Sequence, residues 1–281
     1  MSALNNNTSL NSELFAPLVA AAQFAAYEQS VARQIVTVFD MPANSGKVVQ
    51  VPVYTSISAT TPEEGNIATF ADTNTTSANI TLSEKVVAHR VTDMLRDSAY
   101  NDVFAQLGDQ SGRAIAEAMD AEVFGTFSSL SSDLGASGAE LTVTDLFKAA
   151  ATLRARKLTG PFYAVVHPGT AYNIKKALTA TTSYQNATQV ASDVLGGFYI
   201  GTIAGIQIYE SALVPVSGND AVNAVFAPQA IGHSMRGSIR LETMRQAAYR
   251  ATDVVLTAVS GATVLQPTFG VALTADIRVS N

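Results

Sequence analysis

The stretch from Arg96 to Phe127, RDSAYNDVFAQLGDQSGRAIAEAMDAEVFGTF, constrains the fold more than any other part of the chain. It contains no proline, and its apolar residues recur at helical spacing, which predicts one helix of about 45 Å. Gly125 and the serine-rich segment after it predict where this helix ends. One very long helix in a chain otherwise poor in helix signals indicates a structural spine.

The predicted spine helix carries two apolar arcs. The first consists of Ala99, Val103, Leu107, Ala114, Ala118 and Ala121. The second consists of Ile115, Met119, Val123 and Phe127. We expect its packing to rest on Ala99, Val103, Leu107, Ile115 and Met119. Gly108 and Gly112 each cost about 1 kcal/mol in a helix, so they predict a close backbone approach or a bend.

Charge is scarce in this chain of 281 residues, since Asp, Glu, Lys and Arg make up only 14%. Average soluble proteins contain about 25%. Interface cores are depleted in charge, so the composition fits a protein that is buried against copies of itself, although compositional drift explains it too. The net charge of -6 argues against a protein that binds nucleic-acid phosphates. The absence of cysteine excludes disulfides and cysteine-based metal sites.

The N-terminal segment predicts an arm that packs on a neighbour. Residues 1–11 read as disordered, and Ser12 is a plausible N-cap for one or two short amphipathic helices that reach Ile35. The segment lacks the basic and apolar regions of a signal peptide. The longest apolar run, from Leu14 to Ala26, is too short to span a bilayer.

Residues 45–95 change to a period of two and predict an extended hairpin. Val49, Val51 and Val53 alternate along the first strand, in which Pro52 indicates an edge position. The return strand NITLSEKVVAHRVTD has Ile80, Leu82 and Val86 in apparent alternation. A hairpin with so few apolar residues is marginal alone, so we expect it to lie on its own core or on another subunit.

The rest of the chain predicts a compact α/β unit over about 144–235, followed by strands. Thr142 or Thr144 caps a helix, FYAVVHP reads as a buried strand, and Pro168 opens a second helix. In the last segment, Ser260 and Gly261 predict a turn between two strands.

The candidates for chemistry favour structural roles. His89, His167 and His233 have no partner at metal-ligand spacing. His167 ends a strand as some catalytic residues do, but no nucleophile motif accompanies it. The acidic pair Glu63 and Glu64 reads as a solvated loop tip or a partner contact. The sequence therefore predicts neither an enzyme nor a cofactor.

Taken in order, several segments resemble the major capsid protein of tailed double-stranded-DNA phages, the Hong Kong 97 type of shell protein. The segments are PEEGNIA at the hairpin tip, the return strand NITLSEKVVAHRVTD, AEAMDAEVFGTF at the end of the spine, AVVHP before a helix, and GTIAGIQIYESALVP. Asp120 and Gly125 match a common Asp and Gly of the family. The resemblance covers nearly the whole chain, and it depends on the order and spacing of these segments.

The resemblance implies an α+β fold of five parts: an N-terminal arm (1–44), an extended hairpin or E-loop (45–95), the spine helix of a peripheral domain (96–143), an axial domain (144–235) and returning peripheral strands (236–281). It implies hexamers and pentamers of an icosahedral virion shell, assembled in the host cytoplasm around non-specifically packaged DNA. Scaffold, portal and decoration proteins are further implied partners, and no membrane is. The expected assembly contacts of the hairpin are Lys47, Val51, Glu63, Glu64, Gly65 and Ile67.

Two features of some relatives are not expected here. Lys47 and Lys85 both lie near the base of the hairpin, so we predict no covalent crosslink between subunits. The arm begins almost at Met1, which favours a separate scaffold protein. The alternatives are an encapsulin-type compartment with the same fold, a hydrolase that uses His167, and a tail-tube or fibre protein.

Overall fold

Five α-helices and thirteen strands have both ends within the described part of the chain, and short 3-10 turns and loops join them. The computed structural model describes residues 22, 30–42, 46–54, 59, 61, 75–98, 103–180 and 199–278. The helices are α1 (Ala32–Ile35), α2 (Asp93–Ser98), α3 (Val103–Phe124), α4 (Val143–Ala155) and α5 (Pro168–Ala180). The strands are β1 (Thr37–Met41), β2 (Val48–Tyr54), β3 (Thr75–Thr81), β4 (Ser83–Thr92), β5 (Phe162–Val166), β6 (Tyr199–Ile203), β7 (Ile206–Glu210), β8 (Val216–Ser217), β9 (Asp220–Phe226), β10 (Ile231–Arg236), β11 (Arg240–Gln246), β12 (Ala251–Val264) and β13 (Gly270–Asp276). None of the described helices is long and apolar enough to cross a bilayer.

The first sheet joins a strand from the N-terminal part of the chain to strands from its C-terminal part. Its strand order is β1-β10-β12-β11, and β4 pairs with the other edge of β12. Strand β1 runs parallel to β10, with Thr37 opposite Gly232. The spine helix α3 packs on this sheet through a cluster that contains Ile115, Met119, Val254 and Leu256. This cluster fixes the spine to strands from the C-terminal part of the chain.

The second sheet contains most strands of the predicted α/β segment, but it also takes in β13 from outside 144–235, and β10 lies in the first sheet. Its strand order is β13-β9-β5-β7-β6, with β8 on β9, and β5 and β7 are parallel. Helices α4 and α5 contribute Leu146, Leu153 and Ile174 to its buried core. Thr142 and Asp145 form a capping box at the start of α4, and Pro168 begins α5, so both predicted helix starts are confirmed.

Three phenylalanines join the spine to the second sheet. The ring centroids of Phe124 and Phe127 are 5.4 Å apart, and those of Phe127 and Phe226 are 5.6 Å apart. All three side chains are fully buried. Complete burial of a side chain of this size stabilises the fold by about 2–3 kcal/mol. The cluster therefore couples the two sheets into one packed body.

The spine helix is shorter than the sequence predicted. Helix α3 spans 22 residues, α2 is a separate element, and residues 99–102 between them lie outside the described part. Helix α3 ends just before Gly125, as predicted, but Phe127 begins a 3-10 turn. The amide of Thr126 donates to the carbonyl of Val123 at 3.1 Å, a tighter pattern than that of an α-helix.

The arc made mainly of alanines does not form the buried face of the helix. Ala114 and Ala121 are exposed and Ala118 is half-buried, whereas the second arc is buried from Ile115 onward. Gly108 and Gly112 are buried, and the close approach or bend expected there stays a prediction. The larger side chains of the second arc remove more apolar area from water, and they determine which face packs.

The predicted return strand is two strands that serve different sheets. Strand β3 pairs with β2, whereas β4 pairs with β12, and the change occurs at Leu82. Ile80 and Leu82 are buried, but Val86 is 55% exposed, so the predicted alternation fails beyond Leu82. Side chains of β4 alternate between its two faces, and the half-buried face contains every second residue from Lys85, the next being Val87.

The predicted turn at Ser260 and Gly261 is wrong, because β12 runs unbroken through both residues. A Cβ atom added at Gly261 would lie 2.3 Å from the carbonyl oxygen of Thr81. The glycine therefore marks a close approach between β12 and the end of β3, which is a known use of glycine inside a strand. The chain turns after β12 instead, before β13 begins at Gly270.

Substitution Gly261→Ala should destabilise the subunit by about 1–3 kcal/mol, the usual range for overpacking against atoms that cannot move freely. We expect a lower midpoint of chemical unfolding with an unchanged slope. Gly46→Ala is the matched control, because no atom of the described residues lies within 4 Å of a Cβ atom at that position. Equal midpoints for the two variants would contradict the close approach.

Candidate assembly interface

The hairpin of β2 and β3 has one partly covered apolar face and one exposed face. Val49 lies opposite Ile80 and Val51 opposite Ala78, on the partly covered side. The opposite side is exposed and mainly polar, and it consists of Val48, Gln50, Pro52, Tyr54, Thr75, Ser77, Asn79 and Thr81. Within the described residues, the two strands pair only with each other. A two-stranded ribbon of this kind is marginal in water.

The predicted hairpin contacts fall into two groups. Lys47 is exposed at the base of the hairpin, and Val51 is half-buried on its apolar face. Glu63, Glu64, Gly65 and Ile67 lie outside the described residues. Their part in assembly stays a prediction.

The predicted packing residues of the spine are distributed along α3. Ile115 and Met119 are buried, and Leu107 is half-buried. Val103 is the first residue of α3, and Ala99 lies outside the described residues. The buried pair sits inside the subunit, so its contribution is to hold the spine on the first sheet.

A buried carboxylate on the spine holds the segment before β1. Asp120 is only 4% exposed, and its carboxylate accepts hydrogen bonds from the Ser30 hydroxyl at 2.6 Å, the Val31 amide at 3.0 Å and the Ala32 amide at 3.2 Å. Burial raises the pKa of Asp120, while the three hydrogen bonds oppose that rise. These donors lie at the start of α1, so Asp120 caps a helix that is distant in sequence.

Substitution Asp120→Ala should destabilise the subunit by about 2–4 kcal/mol, because three donors in a buried site lose a charged acceptor. We also expect faster proteolysis within residues 30–41, measured by limited digestion and mass spectrometry. Asp109→Ala is the control on the same helix, since Asp109 makes an exposed i,i+4 ion pair with Arg113 at 3.0 Å. Such pairs contribute only a few tenths of a kcal/mol. Similar losses of stability in both variants would contradict the capping role of Asp120.

His233 lies in β10 of the first sheet, between β1 and β12. Its side chain is buried to 1% exposure, and neither ring nitrogen has a partner among the described residues. It pairs with Val38 of β1 and Ala262 of β12. Burial, reinforced by the Arg33 charge, lowers the pKa of His233 to about 4, and Glu122 and Asp40 oppose this. The imidazole is therefore neutral at pH 7.

His167 has a structural environment. Its Nδ1 accepts the Gly169 amide at 3.2 Å, and its own amide donates to Asn223 Oδ1 at 2.7 Å. Partial burial lowers its pKa, and the nearby Glu210 opposes this. The side chain thereby helps to start α5. Among the described residues, no group of three or more His, Asp or Glu could hold a metal ion.

Comparison with protein-family models decides the family. A model described as phage capsid protein matches residues 75–273, which is more than half of the chain. This chain belongs to the phage capsid protein family. The matched range runs from β3 to β13, so it includes the spine and most strands of both sheets of the capsid protein.

Solved structures show that the fold of the capsid protein is of the Hong Kong 97 type. The capsid structure of cyanophage P-SCSP1u is similar at 22% identity, with 85% of each chain covered and a TM-score of 0.64. The capsid of Ralstonia phage GP4 is similar at 10% identity, with 88% of each chain covered and a TM-score of 0.70. The SrpI encapsulin of Synechococcus elongatus is similar at 13% identity, with 88% of each chain covered and a TM-score of 0.66. No curated protein sequence matches.

Sequence reasoning did not identify how Asp120 and His233 work in the capsid protein. Asp120 directly follows Met119, which is buried. A charged residue on the packing side of the spine was therefore the sequence signal that could have indicated a buried, hydrogen-bonded carboxylate. His233 stands between Ile231 and Met235, which share its face of β10 and are buried. This alternation could have placed His233 in the core. No local pattern indicates that residues 30–32 are the partners of Asp120.

Proposed function

We propose that this capsid protein is the major shell subunit of a phage head. Copies assemble through hexamers and pentamers into an icosahedral shell, and the hairpin of each copy lies on an adjoining copy. The observation that supports this most directly is the ribbon of β2 and β3, whose strands lie outside both sheets within the described residues. Its half-buried valines gain further burial on a neighbour.

The predicted domain organisation belongs to this proposal. Residues 1–44 act as the arm, 45–95 as the E-loop, 96–143 and 236–281 as the peripheral domain, and 144–235 as the axial domain. Strands β1 and β4 are the parts of the arm and the E-loop that join the first sheet, and β13 is the returning strand that joins the second. The proposed partners are scaffold, portal and decoration proteins. Packaged double-stranded DNA is held without sequence readout, consistent with the net charge of -6. The subunit is a structural component of the virion, it works without enzymatic activity, and assembly takes place in the host cytoplasm.

Expression of the full chain, alone and with neighbouring phage genes, tests the proposal. We expect closed particles in sucrose gradients and in negative-stain electron microscopy. A monomer or small oligomer under every condition would contradict the shell. Rods in place of closed particles would support a tail-tube protein.

The second candidate is an encapsulin-type compartment, which the fold similarity to the SrpI encapsulin favours. Purified particles separate the two functions. Packaged double-stranded DNA in particles from infected or induced cells supports the phage head, whereas a co-purified enzyme cargo without nucleic acid supports the compartment.

A further inference from the structure

The base of the hairpin is a junction where the chain changes its pairing partner within one residue. Strand β3 ends at Thr81, β4 begins at Ser83, and Leu82 between them is buried. The Leu82 amide donates to the carbonyl of Lys47 at 2.9 Å, which closes the base from the other side. The direction in which the hairpin leaves the body therefore depends on the contacts that hold Thr81, Leu82 and Ser83.

One carboxylate of the spine binds β4 and β12 beside this junction. Glu122 Oε1 accepts from the Ser83 hydroxyl at 3.2 Å and lies 3.4 Å from Lys85 Nζ. Glu122 Oε2 accepts from the Ser260 hydroxyl at 3.0 Å. Ser83 and Ser260 lie opposite each other in β4 and β12. Glu122 therefore bridges the β4–β12 residue pair that is nearest to the hairpin.

Gly261, which follows Ser260 in β12, restricts the position of the hairpin by its contact with the end of β3. Gly261 packs so closely against the Thr81 carbonyl that there is no room for a side chain at this position. Lys85 Nζ also donates to the Ser83 hydroxyl at 2.8 Å, which links the cation, the hydroxyl and the carboxylate. The junction is thus held by packing on β12 and by a charged hydrogen-bond network on the spine.

We propose that Glu122 is a positioning residue that fixes the angle at which the hairpin leaves the body of the subunit. Its effect on shell curvature rests on the proposed function, because a hairpin that lies on a neighbour transmits its angle to the contact between subunits. Glu122 contacts Ser83 and Lys85 at the start of β4, the strand that follows the hairpin directly after Leu82. The surrounding body is fixed separately by the phenylalanine cluster.

The angle can be measured directly, because the chain has no cysteine. Spin labels at Ser77→Cys on β3 and Ala114→Cys on the exposed side of the spine report the distance between hairpin and body by pulsed electron resonance on dispersed subunits. In the Glu122→Ala background we expect a broader distance distribution than in the parent. Hydrogen exchange at the Leu82 amide should rise by about tenfold, as expected for losing hydrogen bonds to a charged group.

Glu117→Ala on the exposed side of the same helix is the control and should leave both readouts unchanged. Glu122→Gln keeps one oxygen acceptor without the charge, so it should give an intermediate width, and it serves if the alanine variant does not fold. A distance distribution in Glu122→Ala and Glu122→Gln identical to that of the parent would overturn the proposal.

Electron microscopy of the same variants separates this inference from the proposed function. If the parent forms uniform particles, Glu122→Ala should give particles of mixed diameter or open sheets. Uniform particles of parental diameter would overturn the link between the junction and curvature. If the parent forms no particles while the distances broaden in Glu122→Ala, the positioning role stands and the proposed shell function fails.

Discussion

Shortening the hairpin should give a folded subunit that no longer closes into shells. Gln50 lies opposite Asn79 in the hairpin register, so an Asn-Gly turn that replaces residues 51–78 can join them. The buried Ile80 and the junction at Leu82 remain in place. We expect the yield of closed particles to fall by about tenfold or more, because the proposed contact between the hairpin of each copy and its neighbour is lost.

Three measurements check this result. Circular dichroism and thermal melting should show a folded body, while sucrose gradients and negative-stain images should show small assemblies in place of shells. Closed shells at the parental yield would rule out the hairpin as the assembly element. Loss of the folded body would instead show that the hairpin belongs to the core of the subunit.

A finer pair of variants separates the two faces of the hairpin. Val51→Ser combined with Val53→Ser removes apolar contacts on the half-buried face, whereas Gln50→Ser combined with Asn79→Ser changes only exposed positions. The valine pair should reduce particle yield strongly, and the exposed pair should leave it near that of the parent. The reverse order would mean that the exposed polar face is the one that meets the neighbour.

Acid should weaken the subunit through His233. The pKa of His233 is about 4 in the folded state and about 6.5 in the unfolded state. The unfolded chain therefore binds more protons between these values, and the free energy of unfolding falls as the pH drops from about 6.5 to about 4. At about 1.4 kcal/mol for each pKa unit, the loss from this residue alone reaches about 3 kcal/mol.

His233→Leu isolates this contribution. The variant removes two buried nitrogens that have no hydrogen-bond partner among the described residues, so it should unfold at higher denaturant concentration than the parent below about pH 5. Chemical unfolding between pH 8 and pH 4 measures the difference, and the measurements at pH 8 serve as the control for packing. Parallel pH profiles for the two proteins would contradict a neutral buried imidazole.

The parts of the fold that the sequence could predict are those with local signals. Thr142 with Asp145 caps a helix, Pro168 opens the next one, and Gly125 follows the end of the spine. The hairpin pairing follows from the alternation of its valines. In each case the residues that give the sequence pattern belong to the predicted element or directly follow it.

The other parts depend on residues that are distant in sequence. The change of partner at Leu82 was hidden, because Ile80 and Leu82 are both buried and continue one apparent alternation. Gly261 reads as a turn, although it accommodates the backbone of Thr81. Asp120 lies on the packing side of the spine, but nothing near it in sequence indicates that Ser30 is its partner. Long-range partners of this kind leave no periodic signal in a single sequence.

The parallel pairing of β1 with β10 has a consequence for synthesis on the ribosome. Thr37 meets Gly232 in that pair, so the first sheet cannot form until most of the chain has been translated. Contacts between such distant residues form slowly, whereas the nearby strands β2 and β3 can pair early. Because this ribbon is marginal in water by itself, we expect it to become stable in the nascent chain only when the first sheet forms. Association between copies should therefore follow synthesis of the complete polypeptide.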